Sequence, residues 1–312
     1  MTNTITTPNV STMAEVAERL DNVKKIIVHP GDAHLDEFFA CAIALAHKAM
    51  RSQGDAYETL ATLDVPIERH EPTEAELEDP EVLVLDVGGR LDAEHMNFDH
   101  HQLERGTQEC AYTILAKHLL FDEGVTFAEW LKDMFAWYKT RAIVDSCGPF
   151  QAAKESGTTW DIVSQFLGPC EEFVLKQFAA ATDTERTALV KAFAVDLVDK
   201  MIAWDEVVKK LNFPKIEDNS DIEVIDFTKS DPTLAAAVSD AITRKYDRGV
   251  AMFHDNRGSG FTLLRLKDDP RIDFARVKND PEVAFAHPGG FIAKTKTKSL
   301  DEALRLIKAA IV

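Results

Sequence analysis

Histidine and acidic residues crowd into three short stretches of the chain. His29, Asp32, His34 and Asp36 share one polar turn, Asp86 ends an apolar run, and Asp99-His100-His101 follow soon after. Mixed imidazole and carboxylate donors suit Mn²⁺, Fe²⁺ or Zn²⁺, and carboxylates are the usual groups that bridge two ions. Thiolate chemistry is not indicated. Cys41, Cys110, Cys147 and Cys170 are scattered with no C-x-x-C pair, so neither a structural zinc site nor a disulfide framework follows, and they read as small buried hydrophobes.

Loops must bring these stretches together, so the elements before and after each matter. Thr12-Met13-Ala14-Glu15 has the form of a capping box ahead of a short helix. Lys25-Ile26-Ile27-Val28 predicts a strand that stops at His29-Pro30-Gly31-Asp32. Leu35, Phe38, Phe39, Ala42 and Ile43 then fall at helical spacing, giving strand, polar loop, helix. The acidic stretch from Glu71 to Glu81, with Pro72 and Pro80, reads as a loop with one helical turn at most. Val82-Leu83-Val84-Leu85 is apolar throughout, as a strand buried on both faces would be, and runs into Asp86. An acid there sits at the sheet edge where α/β proteins place ligands. Helical patterns dominate from Cys110 to Asn212. The clearest is the stripe Val190, Phe193, Leu197, Met201, Trp204, Val208 and Leu211, which reads as core or as an oligomer surface.

The chain breaks into polar residues between Phe213 and Ser220, which places a boundary between residues 1–213 and 214–312. The second part reads as a smaller α/β unit. It would contain a helix from Pro232 to Tyr246, strands near Val250–Phe253 and Phe261–Leu266, a turn at His287–Gly290 and a final helix from Leu300 to Ile311. The first part, with its strand–loop–helix order, reads as a mostly parallel sheet with flanking helices.

The 312 residues are 45% hydrophobic and 28% charged, which excludes disorder as the main state. No apolar run suits a membrane span and no leader opens the chain, so a cytoplasmic protein is expected. The net charge of −18 argues against a protein that coats nucleic acid through neutralised phosphates. The charge is uneven, however. Arg257–Val312 holds 11 basic against 7 acidic residues, or +4, while the remainder holds 24 against 46, or −22.

H-P-G-D-A-H-L-D-E, then V-L-V-L-D-V-G-G, then N-F-D-H-H-Q, in that order and spacing, resembles the DHH phosphoesterase superfamily. Within it the chain is most similar to the melanocyte-proliferating-gene family of metal-dependent exonucleases. That family's first motif has a second His five residues on and Asp-Glu seven on, here His34, Asp36 and Glu37. Ile143-Val144-Asp145-Ser146-Cys147-Gly148 resembles the superfamily's fourth motif. F-A-H-P-G-G-F-I-A-K-T-K-T-K, near the end, resembles the family's glycine-rich substrate motif, with Ala293-Lys294 where the family has a second glycine pair.

The resemblance implies that His29 and His34 bind one ion, Asp36 and His100 the other, and that Asp86 and Asp145 are shared. It implies that His101 sits beside the scissile phosphate and that Asp99 orients an imidazole. Two divalent ions are expected, Mn²⁺ first, with Mg²⁺, Fe²⁺ or Zn²⁺ as alternatives. In the C-terminal unit, His287, Gly289, Gly290, Lys294, Lys296 and Thr297 are the expected substrate contacts. Glycines let a phosphate approach backbone N–H groups and the lysines add positive charge. Thr295 is a further donor, with Arg257, Arg265 and Arg276 as weaker candidates. Glu37 reads as favouring the helix N-terminus rather than as a ligand. His47, His70, His95, His118 and His254 lack partners in sequence and read as structural.

These readings lead to a phosphodiester hydrolase acting on nucleic acid ends or short oligonucleotides, RNA preferred. The competing readings are a small-molecule phosphatase or pyrophosphatase on the same scaffold, and a metal- and nucleotide-binding protein without turnover.

Overall fold

The computed structural model describes residues 8–104, 106–122, 125–165, 169–209 and 222–312. Their contacts fall into two units, Met1–Val198 and Asp199–Val312. The division falls inside a long helix, whereas the boundary expected at 213/214 lies outside the described residues. No helix among the described residues is long and apolar enough to cross a membrane.

The first unit opens with helix α1 (Val10–Asn22), capped by Asn9, whose side-chain oxygen accepts from the Thr12 amide at 3.0 Å. The capping box expected at Thr12–Glu15 is therefore displaced. Asn9 fills the role three residues earlier and Thr12 lies inside the first turn. Strand β1 (Lys25–Val28) and helix α2 (Leu35–Arg51) follow as the periodicity predicts. Helix α2 is buried without a break from Asp36 to His47, because it is covered on all sides.

Helix α3 (Ala56–Thr62), strand β2 (Ile67–Arg69), the single turn α4 (Glu74–Leu77), and strands β3 (Val82–Leu85), β4 (Leu91–Asp92) and β5 (Asn97–Phe98) complete the sheet. Its order is β2-β1-β3-β5-β4, parallel except for β4. All four residues of β3 are buried, as a strand covered on both faces requires.

The register fixes the site. Val28 pairs with both Arg69 and Leu85, and Leu85 pairs with Phe98, so the last residues of four parallel strands form one rung. The chain leaves that rung at His29, His70, Asp86 and Asp99.

Helices α5 (Ala111–Lys117), α6 (Phe127–Met134), α7 (Tyr138–Cys147), α8 (Pro149–Glu155), α9 (Trp160–Gln165), α10 (Pro169–Ala180) and α11 (Asp183–Lys209) follow. The helical stretch is interrupted by a two-stranded hairpin, β6 (Leu120–Asp122) with β7 (Val125–Thr126). Val190, Leu197 and Met201 of the expected stripe are buried on α11, whereas Leu211 lies outside the described residues. Around α2 the core is aromatic: Phe39 meets Tyr112 edge-on at 5.3 Å and Trp137 at 5.1 Å, and Phe38 meets Phe193 at 5.5 Å.

The second unit is built on strands β8 (Val224–Phe227), β9 (Val250–His254), β10 (Phe261–Arg265), β11 (Val283–Ala286) and β12 (Ile292–Thr295), in the order β11-β12-β10-β9-β8. Only β8 and β9 run parallel. Alternation along β9 divides two cores. Val250 and Met252 pack with Leu306 and Ile307 of helix α13 (Leu300–Ala309), while Ala251 and Phe253 pack with Val238 and Ile242 of helix α12 (Ala235–Lys245). The fold is thus α/β, a mostly parallel sheet with flanking helices and a smaller α/β C-terminal unit.

Candidate metal centre

Asp86 leaves β3 with φ of +60°, in the left-handed region that a non-glycine residue occupies at a cost. Strain of this kind persists where surroundings over-determine it, often at functional sites. Here it aims a buried carboxylate along the sheet edge. Oδ2 lies 3.5 Å from His29 Nε2 and Oδ1 lies 3.1 Å from His100 Nε2. One carboxylate therefore faces donors from two different loops.

On the first side, His29, His34, Glu37 and Asp86 each bring a potential ligand atom within 4.8 Å of the others. His29 Nδ1 donates to the Pro30 carbonyl at 2.6 Å, which leaves Nε2 as the inward-facing atom. Nε2 is buried without a hydrogen-bond partner, between Asp86 and Glu37 Oε1 at 3.4 Å. A backbone carbonyl behind one ring nitrogen is the usual way a protein fixes an imidazole for a metal at the other.

On the second side, His100 Nε2 lies 3.1 Å from Asp145 Oδ2 and 3.7 Å from Asp36 Oδ2. His34, Asp36 and Asp145 also gather within 4.8 Å, so His34 stands between the two sides. Asp145 is delivered by the last turn of α7 rather than by a strand. Asp36, from the first turn of α2, is 1% exposed, and neither of its carboxylate oxygens has a hydrogen-bond partner.

Buried oxygens and a nitrogen without partners are costly unless a cation meets them. The electrostatics agree. Burial raises the Asp36 carboxyl well above its ordinary range, and Asp86 and Asp145 add to the rise. The buried Glu37 carboxylate 3.4 Å away raises His29 to about 9. Burial alone would lower His100, but Asp145 and Asp86 outweigh it and raise the group to about 10. Asp36, Asp86 and Asp145 thus demand positive charge, and the donor set, nitrogen and oxygen without sulfur, fits divalent first-row ions.

Asp99 holds its neighbour in place. Oδ1 accepts from the His101 amide at 3.0 Å and from its Nδ1 at 2.7 Å, while Oδ2 accepts from the Gly89 amide at 2.7 Å. Burial would raise the Asp99 carboxyl, but the amides of His101 and Gly89 together with the imidazole hold it below its ordinary value. His101 remains largely exposed, with Nδ1 the atom tied to Asp99.

Glu37 is fully buried and its oxygens are taken. Oε2 accepts from the His34 amide at 2.9 Å and Oε1 from Arg69 Nη1 at 3.0 Å. It fixes both ends of the His29–His34 turn, as a capping rather than ligating group would. Arg69, which the sequence reading missed, also donates to the Gly31 and Asp32 carbonyls at 3.1 and 3.2 Å and lies 5.2 Å from the Phe178 ring centre. A three-residue strand ending in arginine carries no motif; only its register beside Val28 reveals the role.

The remaining histidines are structural in their contacts. His47 and His118 bond the Leu120 and Ile114 carbonyls, and His95 bonds Asp92. His70 joins Glu68 and Glu76 in a separate cluster, but Lys25 Nζ sits 2.6 Å from Glu76 and supplies the charge there.

In the C-terminal unit the expected substrate residues have protein partners. The Gly289 amide donates to His287 Nδ1 and the Gly290 amide to the His287 carbonyl, at 3.0 and 2.9 Å. These are the amides expected to meet a phosphate, and the turn itself uses both. A Cβ on Gly290 would lie 2.0 Å from Asp273, and its φ is +68°, so packing alone requires the glycine. Lys294 pairs with Asp255, Lys296 donates to the Pro281 carbonyl, and Thr297 Oγ1 accepts from the Ser299 amide. Thr295 is buried and accepts from the Phe261 amide, while Arg265 and Arg276 bond the Ile272 and Ile311 carbonyls.

Residues 25–116 match the MYG1_exonuc family, described as an uncharacterised protein family (UPF0160). No curated protein matches the chain. Among solved structures, a DHH domain described as a member of the s1p family of ribosomal proteins aligns over 96% of this chain and 89% of that one. The two share 11% identity, with a TM-score of 0.29.

Proposed function

We propose, from the match of residues 25–116 to the MYG1_exonuc family together with the donor cluster, that the protein is a metal-dependent phosphoesterase of DHH type. In this reading it hydrolyses phosphodiester bonds at nucleic acid ends or in short oligonucleotides, RNA preferred. Two divalent ions, Mn²⁺ first, would be held by His29, His34 and Asp86 on one side and by Asp36, His100 and Asp145 on the other, with Asp86 common to both. Such ions, when bound, neutralise phosphate charge and lower the pKa of water to give a nucleophile near neutral pH.

The chain's own groups prepare the rest. Asp99 keeps the His101 proton on Nδ1, so Nε2 is left to accept a hydrogen bond or a proton at the open side of the site. Glu37 and Arg69 hold the His29–His34 turn against the sheet. The reading rests above all on Asp86, whose two oxygens face His29 and His100 from a strained position at a strand end.

The test is metal content and Mn²⁺-dependent trimming of a labelled oligonucleotide by the wild type, Asp86→Asn and His100→Ala. Both variants are expected to lose activity by orders of magnitude while remaining folded. Retained cutting in either overturns the assignment. Release of phosphate from a nucleotide or pyrophosphate, with no trimming, favours the small-molecule reading. Tight ion and nucleotide binding without any hydrolysis favours a binding protein.

A further inference from the structure

Beside the donor cluster lies a cavity of about 610 Å³, within the range of small-molecule sites. His34, Asp36 and Asp145 form one part of its wall, and Tyr112, Val144 and Leu175 supply an apolar part. Arg141 also lines it, one helical turn before Asp145 on α7, so the two side chains rise from the same helix face.

Arg141 is 6% exposed, and its hydrogen bonding is incomplete. Nη2 pairs with Glu171 of α10, but Nε and Nη1 are buried without any partner. A guanidinium whose buried N–H groups lack acceptors, on a residue that lines a cavity with apolar walls, is poorly satisfied by protein alone. Planar donors of this kind match phosphate oxygens.

We propose that Arg141 binds a second phosphate of the substrate, one nucleotide from the bond that is cut, with the intervening nucleoside against Tyr112, Val144 and Leu175. The inference rests on the phosphoesterase reading and deepens it. It makes the preferred substrate a short oligonucleotide carrying a terminal phosphate in addition to its diester. Glu171 competes for the same guanidinium, so the pair sets how strongly the second phosphate is held.

The experiment is calorimetric binding of 5′-phosphorylated diuridylate and of unphosphorylated diuridylate, in Ca²⁺ to suppress turnover, beside Mn²⁺-dependent cleavage of both. The wild type is expected to bind the phosphorylated form at least tenfold more tightly. Arg141→Met brings the affinity ratio close to one. Glu171→Gln, which keeps the guanidinium and removes its competitor, raises the ratio. No preference in the wild type, or a ratio unmoved by both variants, overturns the proposal. Cleavage without the preference removes the second-phosphate site and leaves the phosphoesterase reading. The preference without cleavage removes the catalytic reading and leaves the anion site.

Discussion

The guanidinium of Arg69, at the end of β2, lies 3.0 Å from the carboxylate of Glu37 in the first turn of α2, and both side chains are buried. The pair ties the second strand of the sheet to the turn that carries His29 and His34. Removing one partner of a buried pair leaves the other charge unmet. Arg69→Met is therefore expected to cost about 3–5 kcal/mol of stability, measured by urea unfolding. A loss below 1 kcal/mol would mean that Glu37 is stabilised by other means.

Asp99→Asn addresses the orientation of His101. Asparagine retains the size of the side chain but has one acceptor oxygen where the carboxylate has two, so it cannot accept from His101 and from the Gly89 amide at once. Loss of a group that orients a reacting or ligating side chain costs about 10–100-fold in metal affinity or activity. The loss is expected in kcat, with bound metal unchanged by elemental analysis, because Asp99 touches His101 and the Gly89 amide rather than the donor cluster. A drop in metal content with kcat per bound ion preserved would assign Asp99 to the ions instead.

The strain at Asp86 has its own signature. A left-handed φ costs an alanine about 1–2 kcal/mol and a glycine almost nothing. Asp86→Gly should be the more stable of two inactive variants, exceeding Asp86→Ala by about 1 kcal/mol. Equal stabilities would mean that the backbone relaxes when the carboxylate is gone.

His47 gives the fold a pH dependence away from the site. Burial lowers its imidazole from 6.5 to about 4, with the bond from Nε2 to the Leu120 carbonyl opposing the fall. The unfolded chain takes up a proton below pH 6.5 that the folded chain refuses until about pH 4. Stability is thus full above 6.5 and declines as pH falls through that window, by roughly 3 kcal/mol for this group. His47→Gln keeps a donor but does not titrate, and should flatten this part of the profile in thermal melts at pH 4 to 7. An unchanged slope would assign the effect elsewhere.

The donor cluster was legible because each of its strand signals is local. Val82–Leu85 is apolar without interruption, Lys25–Val28 ends at a proline and glycine, and Leu35 begins a helical period at once. The supports were not legible, because they join residues far apart. Arg69 reaches Glu37 across 32 positions, and β4 and β5 have two residues each, too few to show a period. In the C-terminal unit the glycine pair and lysines gave a binding signal. Gly290 makes room for Asp273 and Lys294 pairs with Asp255, contacts with residues that are not neighbours in sequence. Arg141 gave no signal, since an arginine on a helix is ordinary until its surroundings are known.

The single rung formed by Val28, Arg69, Leu85 and Phe98 also divides the sheet into a working rim and a spare one. Every donor carried by a strand lies where the chain exits, so the turns feeding the strands bear none. A tag or extra loop grafted at Asp79-Pro80, ahead of β3, lengthens the approach to the sheet without displacing the residues at its far end. That rim is the natural handle for labels and for immobilising the protein with its chemistry facing outward.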